Sequence, residues 1–99
     1  MSKKETLRQL AAYIPREEKR LLVKRLLEIS GDSISRAASA ASITKAQLYR
    51  YLGITKRKNY PSDRVMARVL EAIYNKHPGE IKQYFFDIAT RIRQLAEKL

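Results

Sequence analysis

The side chains that could do chemistry in this 99-residue chain are mostly cations. Between Lys45 and Arg68 stand Lys45, Arg50, Lys56, Arg57, Lys58, Arg64 and Arg68, opposed only by Asp63, a local charge of +6. Cations gathered in this way bind a polyanion, whereas a solvated face without a partner more often mixes signs. The whole chain agrees, since 21 Lys and Arg against 10 Asp and Glu leave +11. Nucleic acid is the first polyanion to expect and an anionic membrane surface the second.

Other chemistries find little to stand on. The chain has no Cys, which excludes disulfides and thiolate metal sites, and its one histidine, His77, cannot build a zinc site. No metal and no cofactor are expected. Six tyrosines suggest a tyrosine recombinase, but that nucleophile needs Arg and His clustered around it, and one His does not supply them. Glu17 and Glu18 fit the start of a helix better than acid–base work. The three glycines lie too far apart to cradle a phosphate in a Gly-rich loop. The expectation is a protein that is not an enzyme. No apolar run approaches the ~18 residues of a spanning helix, and Met1-Ser2-Lys3-Lys4-Glu5 lacks the apolar centre of a signal peptide. A cytoplasmic, nucleoid-associated protein is therefore expected, with no membrane partner. The second helix below is basic and amphipathic, but its apolar side is needed for the core of so small a domain.

Glycine and proline divide the chain into helices. Lys3 to Ile14 carries Leu7, Leu10, Ala11 and Ile14 at helical spacing, behind a capping box at Ser2-Lys3-Lys4-Glu5. Arg16 to Ser30 places Leu22, Leu26 and Ile29, with Leu21 and Val23 beside them, inward, and Lys19, Arg20, Lys24 and Arg25 outward. Gly31 can end it in a left-handed turn. These two helices are expected to form a hairpin over residues 1–31. A short small-residue helix from Ile34 to Ala41, the turn Ser42-Ile43-Thr44 and a helix from Lys45 to Leu52 open a central unit of residues 32–77. Ser62 caps its last helix, which reaches about Asn75 with Val65, Met66, Val69, Leu70 and Ile73 on one side. Pro78-Gly79-Glu80 opens a final helix over 78–99. The fold class is thus all-α, five to six helices in one compact domain, with no β-hairpin wing because no strand-like run flanks the loop after Leu52.

Ala37, Ala38, Ala40 and Ala41 let two helices cross closely, Ile43 can plug the turn, and Leu48 and Tyr51 point back to the core. Ile34 to Gly53 then resembles the helix-turn-helix of phage repressors and Cro proteins, and Ile43 to Leu52 resembles the recognition helix of resolvases and invertases. The buried positions of that pattern fall on Ala37, Ala41, Ile43, Leu48 and Tyr51, the common alanine is met by Ala38, and Ser42 stands where glycine is usual. The likeness runs from Ser33 to near Tyr74. It implies that the second helix enters the major groove of duplex DNA.

On that reading Thr44, Lys45, Ala46, Tyr49 and Arg50 form the outward ridge. Arg50 is the best base reader, its fork matching guanine O6 and N7, with a phosphate contact as the alternative. Lys45 could reach guanine or a phosphate. Ala46 is small enough for close approach and could touch a thymine methyl, and Tyr49 could bond a phosphate or pack at the surface. Gln47 could contact adenine, but Thr44-Lys45-Ala46-Gln47 is itself a capping box, and the cap is the preferred role. Lys56, Arg57 and Lys58 are placed to grip the DNA backbone, with Arg64 beside them, and the amides near Ser62 could take a phosphate.

In the last helix Ile81, Tyr84, Phe85, Ile88, Ile92, Leu95 and Leu99 make a heptad-like seam. It suits either packing on the first two helices or a homodimer interface, and the dimer is preferred because one helix-turn-helix usually needs a second half-site. The function expected is sequence-specific binding of double-stranded DNA by a small transcriptional regulator. The alternatives are the DNA-recognition domain of an integrase, resolvase or plasmid partition protein, a nucleoid-coating protein, and a helical protein-interaction module using the seam.

Overall fold

Six α-helices and no strand make up the computed structural model, which describes residues 1–99: α1 (Lys3–Ala11), α2 (Arg16–Ile29), α3 (Ile34–Ala40), α4 (Lys45–Leu52), α5 (Asp63–Lys76) and α6 (Pro78–Ala96). Side chains set most of their starts. Ser2, Ser33, Thr44 and Ser62 each accept a hydrogen bond, at 3.1–3.2 Å, from the amide three residues on. Each satisfies a donor that the helix itself leaves unpaired. Pro15 precedes α2 and Pro78 is the first residue of α6, where a missing N–H costs nothing. At α1 only half of the expected capping box forms, the Ser2 half.

The stops of α2, α3 and α4 share one device. Gly31, Ser42 and Gly53 take left-handed backbone, with φ of +70°, +55° and +78°. After α4 the Ile54 amide donates to Tyr49 O and the Gly53 amide to Arg50 O; after α3 the Ile43 amide donates to Ala38 O and the Ser42 amide to Ser39 O. The same pair follows α2. These bonds close carbonyls that would otherwise face solvent. The first helix is shorter than its apolar spacing implies: it ends at Ala11, and Ile14 is buried from a turn. Pro15 explains this, because it disfavours helical backbone at the residue before it.

Helix α5 is the centre of the core. Its Met66, Val69, Leu70 and Ile73 are fully enclosed, and α1, α2 and α6 all pack on it. Helix α2 also rests on α4 and α3, and α3 on α4 and α5. The expected α1–α2 hairpin is therefore not the arrangement: Leu7 and Ala11 of α1 face the wide apolar side of α5 instead. Within α2, Leu22, Val23 and Leu26 are buried, while Leu21 is exposed, contrary to expectation, since three inward residues already fill that contact.

Helix α6 corrects a second expectation. Ile81 and Ile88 are buried inside this chain, and Tyr84 and Phe85 pack against the core, so these four are not free to form an interface. From Ala89 onward every residue of the helix is exposed, including Ile92 and Leu95, and Leu99 beyond it is exposed too. Phe86, outside the expected seam, is also exposed. Polar ties moor the helix to α2. Arg91 donates two hydrogen bonds of 2.9 Å to Glu18, Tyr84 donates one of 2.7 Å to the same carboxylate, and Arg25 grips Glu80 at 2.7 and 3.2 Å. The Arg91 hydrogen bonds hold the Glu18 carboxyl below its ordinary value, against the effect of desolvation. No helix is long and apolar enough to cross a membrane.

Candidate nucleic-acid interface

Helix α4 presents two unlike sides because its inward side is filled. Leu48, Tyr51 and Leu52 are buried, against Ala37, Ala38 and Ala41 in the same core, and Ile43 is half-buried in the joining turn. The small side chains of α3 permit that close packing. Thr44, Lys45, Ala46 and Tyr49 are left exposed. Gln47 belongs to the cap: its amide oxygen accepts from the Thr44 amide at 2.9 Å, and the Gln47 amide donates to the Thr44 hydroxyl at 3.1 Å. With that oxygen engaged, Gln47 takes the capping role that the sequence favours and is not free to pair with adenine through both ends of its amide. Arg50 is half-buried and is the least exposed member of the expected ridge.

Its cover is the loop after α4. The turn at Gly53 sends the chain back beside the helix, and Ala46, Tyr49, Arg50, Thr55, Lys56 and Arg57 line a shallow notch. The Thr55 hydroxyl donates to Arg57 O at 2.8 Å, which tightens the loop tip. Lys56, Arg57 and Lys58 are exposed. Further along, Tyr60 is clamped by α2. The guanidinium groups of Arg16 and Arg20 lie 4.6 and 4.5 Å from its ring centre, and its hydroxyl donates to Glu17 at 3.0 Å. Arg20 also donates to Tyr51 O at 3.0 Å and to the Tyr60 hydroxyl at 3.3 Å. A cation stacked on an aromatic face and bonded at its edge holds that ring firmly. Arg20, read from the sequence as an outward residue, is thus a strut between α2, the end of α4 and the loop. Neither Arg20 nor Tyr60 carries a local signal of this, since they are 40 residues apart.

The electrostatics are one-sided. Residues 33–62 contain no Asp or Glu, and hold Arg36, Lys45, Arg50, Lys56, Arg57 and Lys58. The ion pairs of the molecule are Lys19–Asp63, Arg25–Glu28, Arg25–Glu80 and Arg91–Glu18, and none involves those six cations. The start of α5 suits an anion less than expected. The Ser62 hydroxyl already accepts from the Val65 amide, and Asp63 puts a carboxylate in the first turn, 3.6 Å from Lys19. Arg64 is exposed, and Arg68 reaches back from α5 to within 3.5 Å of Ser42 O, at the turn between α3 and α4. No group of His, Cys, Asp and Glu side chains is placed to hold a metal ion.

Set against protein-family models, characterised proteins and solved structures, the chain matches none, so the reading of this surface rests on its own residues.

Proposed function

We propose that this protein binds double-stranded DNA, with α3 and α4 acting as a helix-turn-helix and α4 lying in the major groove. The observation that carries the reading is the surface of residues 33–62: six cations, no carboxylate, and an exposed row of Thr44, Lys45, Ala46 and Tyr49 along one helix. The row is the right size for a groove that admits one helix, and the free cations beside it meet phosphates on its rims. Sequence-specific regulation of transcription is the favoured role, in a cytoplasmic, nucleoid-associated setting.

Retardation of duplex DNA over a salt series tests this. Affinity should fall with a log–log slope of several units if about five to eight phosphates are contacted. Lys45→Ala should cost about 1–3 kcal/mol on a selected site and little on random sequence if Lys45 reads guanine. Equal losses on both would favour a nucleoid-coating protein, and no retardation in dilute buffer would end the DNA reading.

A second feature favours assembly. Ile92 and Leu95 leave the end of α6 apolar and exposed, and Ile92 borders a depression that Leu10 and Tyr13 of the N-terminal segment also line. A homodimer through this surface would present two α4 helices to half-sites about 34 Å apart. The same surface serves the rival reading, a helical protein-interaction module.

A further inference from the structure

We propose that the notch between α4 and its following loop is a seat for one phosphate group, occupied by a backbone phosphate of duplex DNA, with Arg50 as its floor. The inference rests on the DNA-binding reading and gives Arg50 a role distinct from base recognition. The Arg50 guanidinium makes no hydrogen bond within the chain, and its Nε is shielded from solvent without an acceptor. The only other such atom is Nη2 of Arg20, whose guanidinium already bonds Tyr51 O and the Tyr60 hydroxyl. A shielded donor without a partner is unfavourable, and an arriving oxyanion removes that penalty. The lining holds three cations, Arg50, Lys56 and Arg57, and no carboxylate.

Two local features suit an anion. The notch lies near the C-terminal end of α4, where open carbonyls would repel negative charge. The turn at Gly53 ties up two of them, Tyr49 O and Arg50 O, through the Ile54 and Gly53 amides. The hydroxyl of Thr55 is turned to Arg57 O, and the loop around it supplies two flexible cations for the outer oxygens. Once the covering loop yields and uncovers Nε, a tetrahedral phosphate can take the Nε–Nη edge of Arg50 with two oxygens. A duplex phosphate is the occupant the geometry favours over a free ion, because Ala46 and Tyr49 belong both to the notch and to the exposed row of α4. A helix lying in a groove brings the rim of that groove against this side. The same covering loop keeps Arg50 from extending as a base reader must.

The Nε–Hε resonance of Arg50 in nitrogen-15-labelled protein reports on the seat directly. It is titrated with a short duplex and, separately, with inorganic phosphate, and Arg50→Gln and Arg50→Lys are compared in retardation assays. The expected results are a shifted, slowly exchanging Nε–Hε on duplex addition and a similar shift with inorganic phosphate at higher concentration. Arg50→Gln should weaken selected and random duplexes by the same factor and lower the salt slope by about one unit, while Arg50→Lys keeps the slope but not the full affinity. A resonance unmoved by a duplex that the protein does retard overturns the proposal. So does an Arg50→Gln loss confined to the selected site. If no duplex is retarded, the DNA reading fails and the inorganic phosphate titration alone decides the seat: a saturable shift supports a free-phosphate site, and no shift overturns it.

Discussion

Ala46 is exposed on the outward side of α4, flanked by Lys45 and Tyr49, and forms part of the notch as well. A carboxylate there would sit where the proposed complex brings base edges and phosphates together. Ala46→Glu is therefore expected to abolish duplex retardation while moving folding stability by no more than about 0.5 kcal/mol, as surface substitutions usually do. Thermal melting alongside retardation checks both halves, and a variant that binds as tightly as the parent removes α4 from the interface. At this scale the sequence was informative where the physics is local. The Thr44–Gln47 box depends on residues three apart, and both of its hydrogen bonds are present. Arg50 was less legible: helical spacing turns it outward, and only the returning loop half-buries it. Tyr60 was illegible as an anchor, because its clamp is made by residues of α2 that no spacing rule connects to it.

The elements owe much of their register to Gly31, Ser42 and Gly53, the left-handed residues that end α2, α3 and α4, and these separate cleanly by side chain. Gly53→Ala is expected to destabilise the fold by about 1–2 kcal/mol, because a Cβ is strained at φ +78° and would also come within 3.0 Å of the Arg20 Nε. Ser42 already bears that strain at φ +55°, so Ser42→Gly should stabilise, by somewhat less than about 1 kcal/mol after the extra chain entropy of glycine. Opposite shifts of the denaturant midpoint confirm the pair, and shifts of the same sign refute it. Helix α4 was legible at both ends, since Thr44 and Gly53 are themselves its signals. Partners were not. The apolar spacing of α1 states which side is buried, but either α2 or α5 could have met it, and the fully enclosed side of α5 took that place. The seam of α6 likewise reads as one stripe in the sequence, while the helix outruns the body and divides it into a buried half and an exposed half.

Over the whole molecule, Glu18 links the N-terminal part of α2 to the middle of α6 through Tyr84 and Arg91. Its carboxyl is depressed on folding, so the stability it contributes is complete above the ordinary value near 4.5 and is lost as pH falls through the lowered folded value. Glu18→Gln should lower stability at neutral pH and flatten the acid limb of the unfolding profile; an unchanged acid limb would place the acid sensitivity elsewhere. Beyond that mooring, Ile92 and Leu95 remain exposed. Light scattering is expected to give twice the chain mass at high concentration and a monomer for Leu95→Glu, and a monomeric parent would exclude the dimer. The Tyr60 clamp has a consequence for the heat of binding. Its ring holds the far end of the basic loop against α2, as Gly53 fixes the near end, so the loop arrives at a ligand already shaped. Association then carries the heat-capacity change of surfaces meeting, without the larger decrement of a segment that folds as it docks.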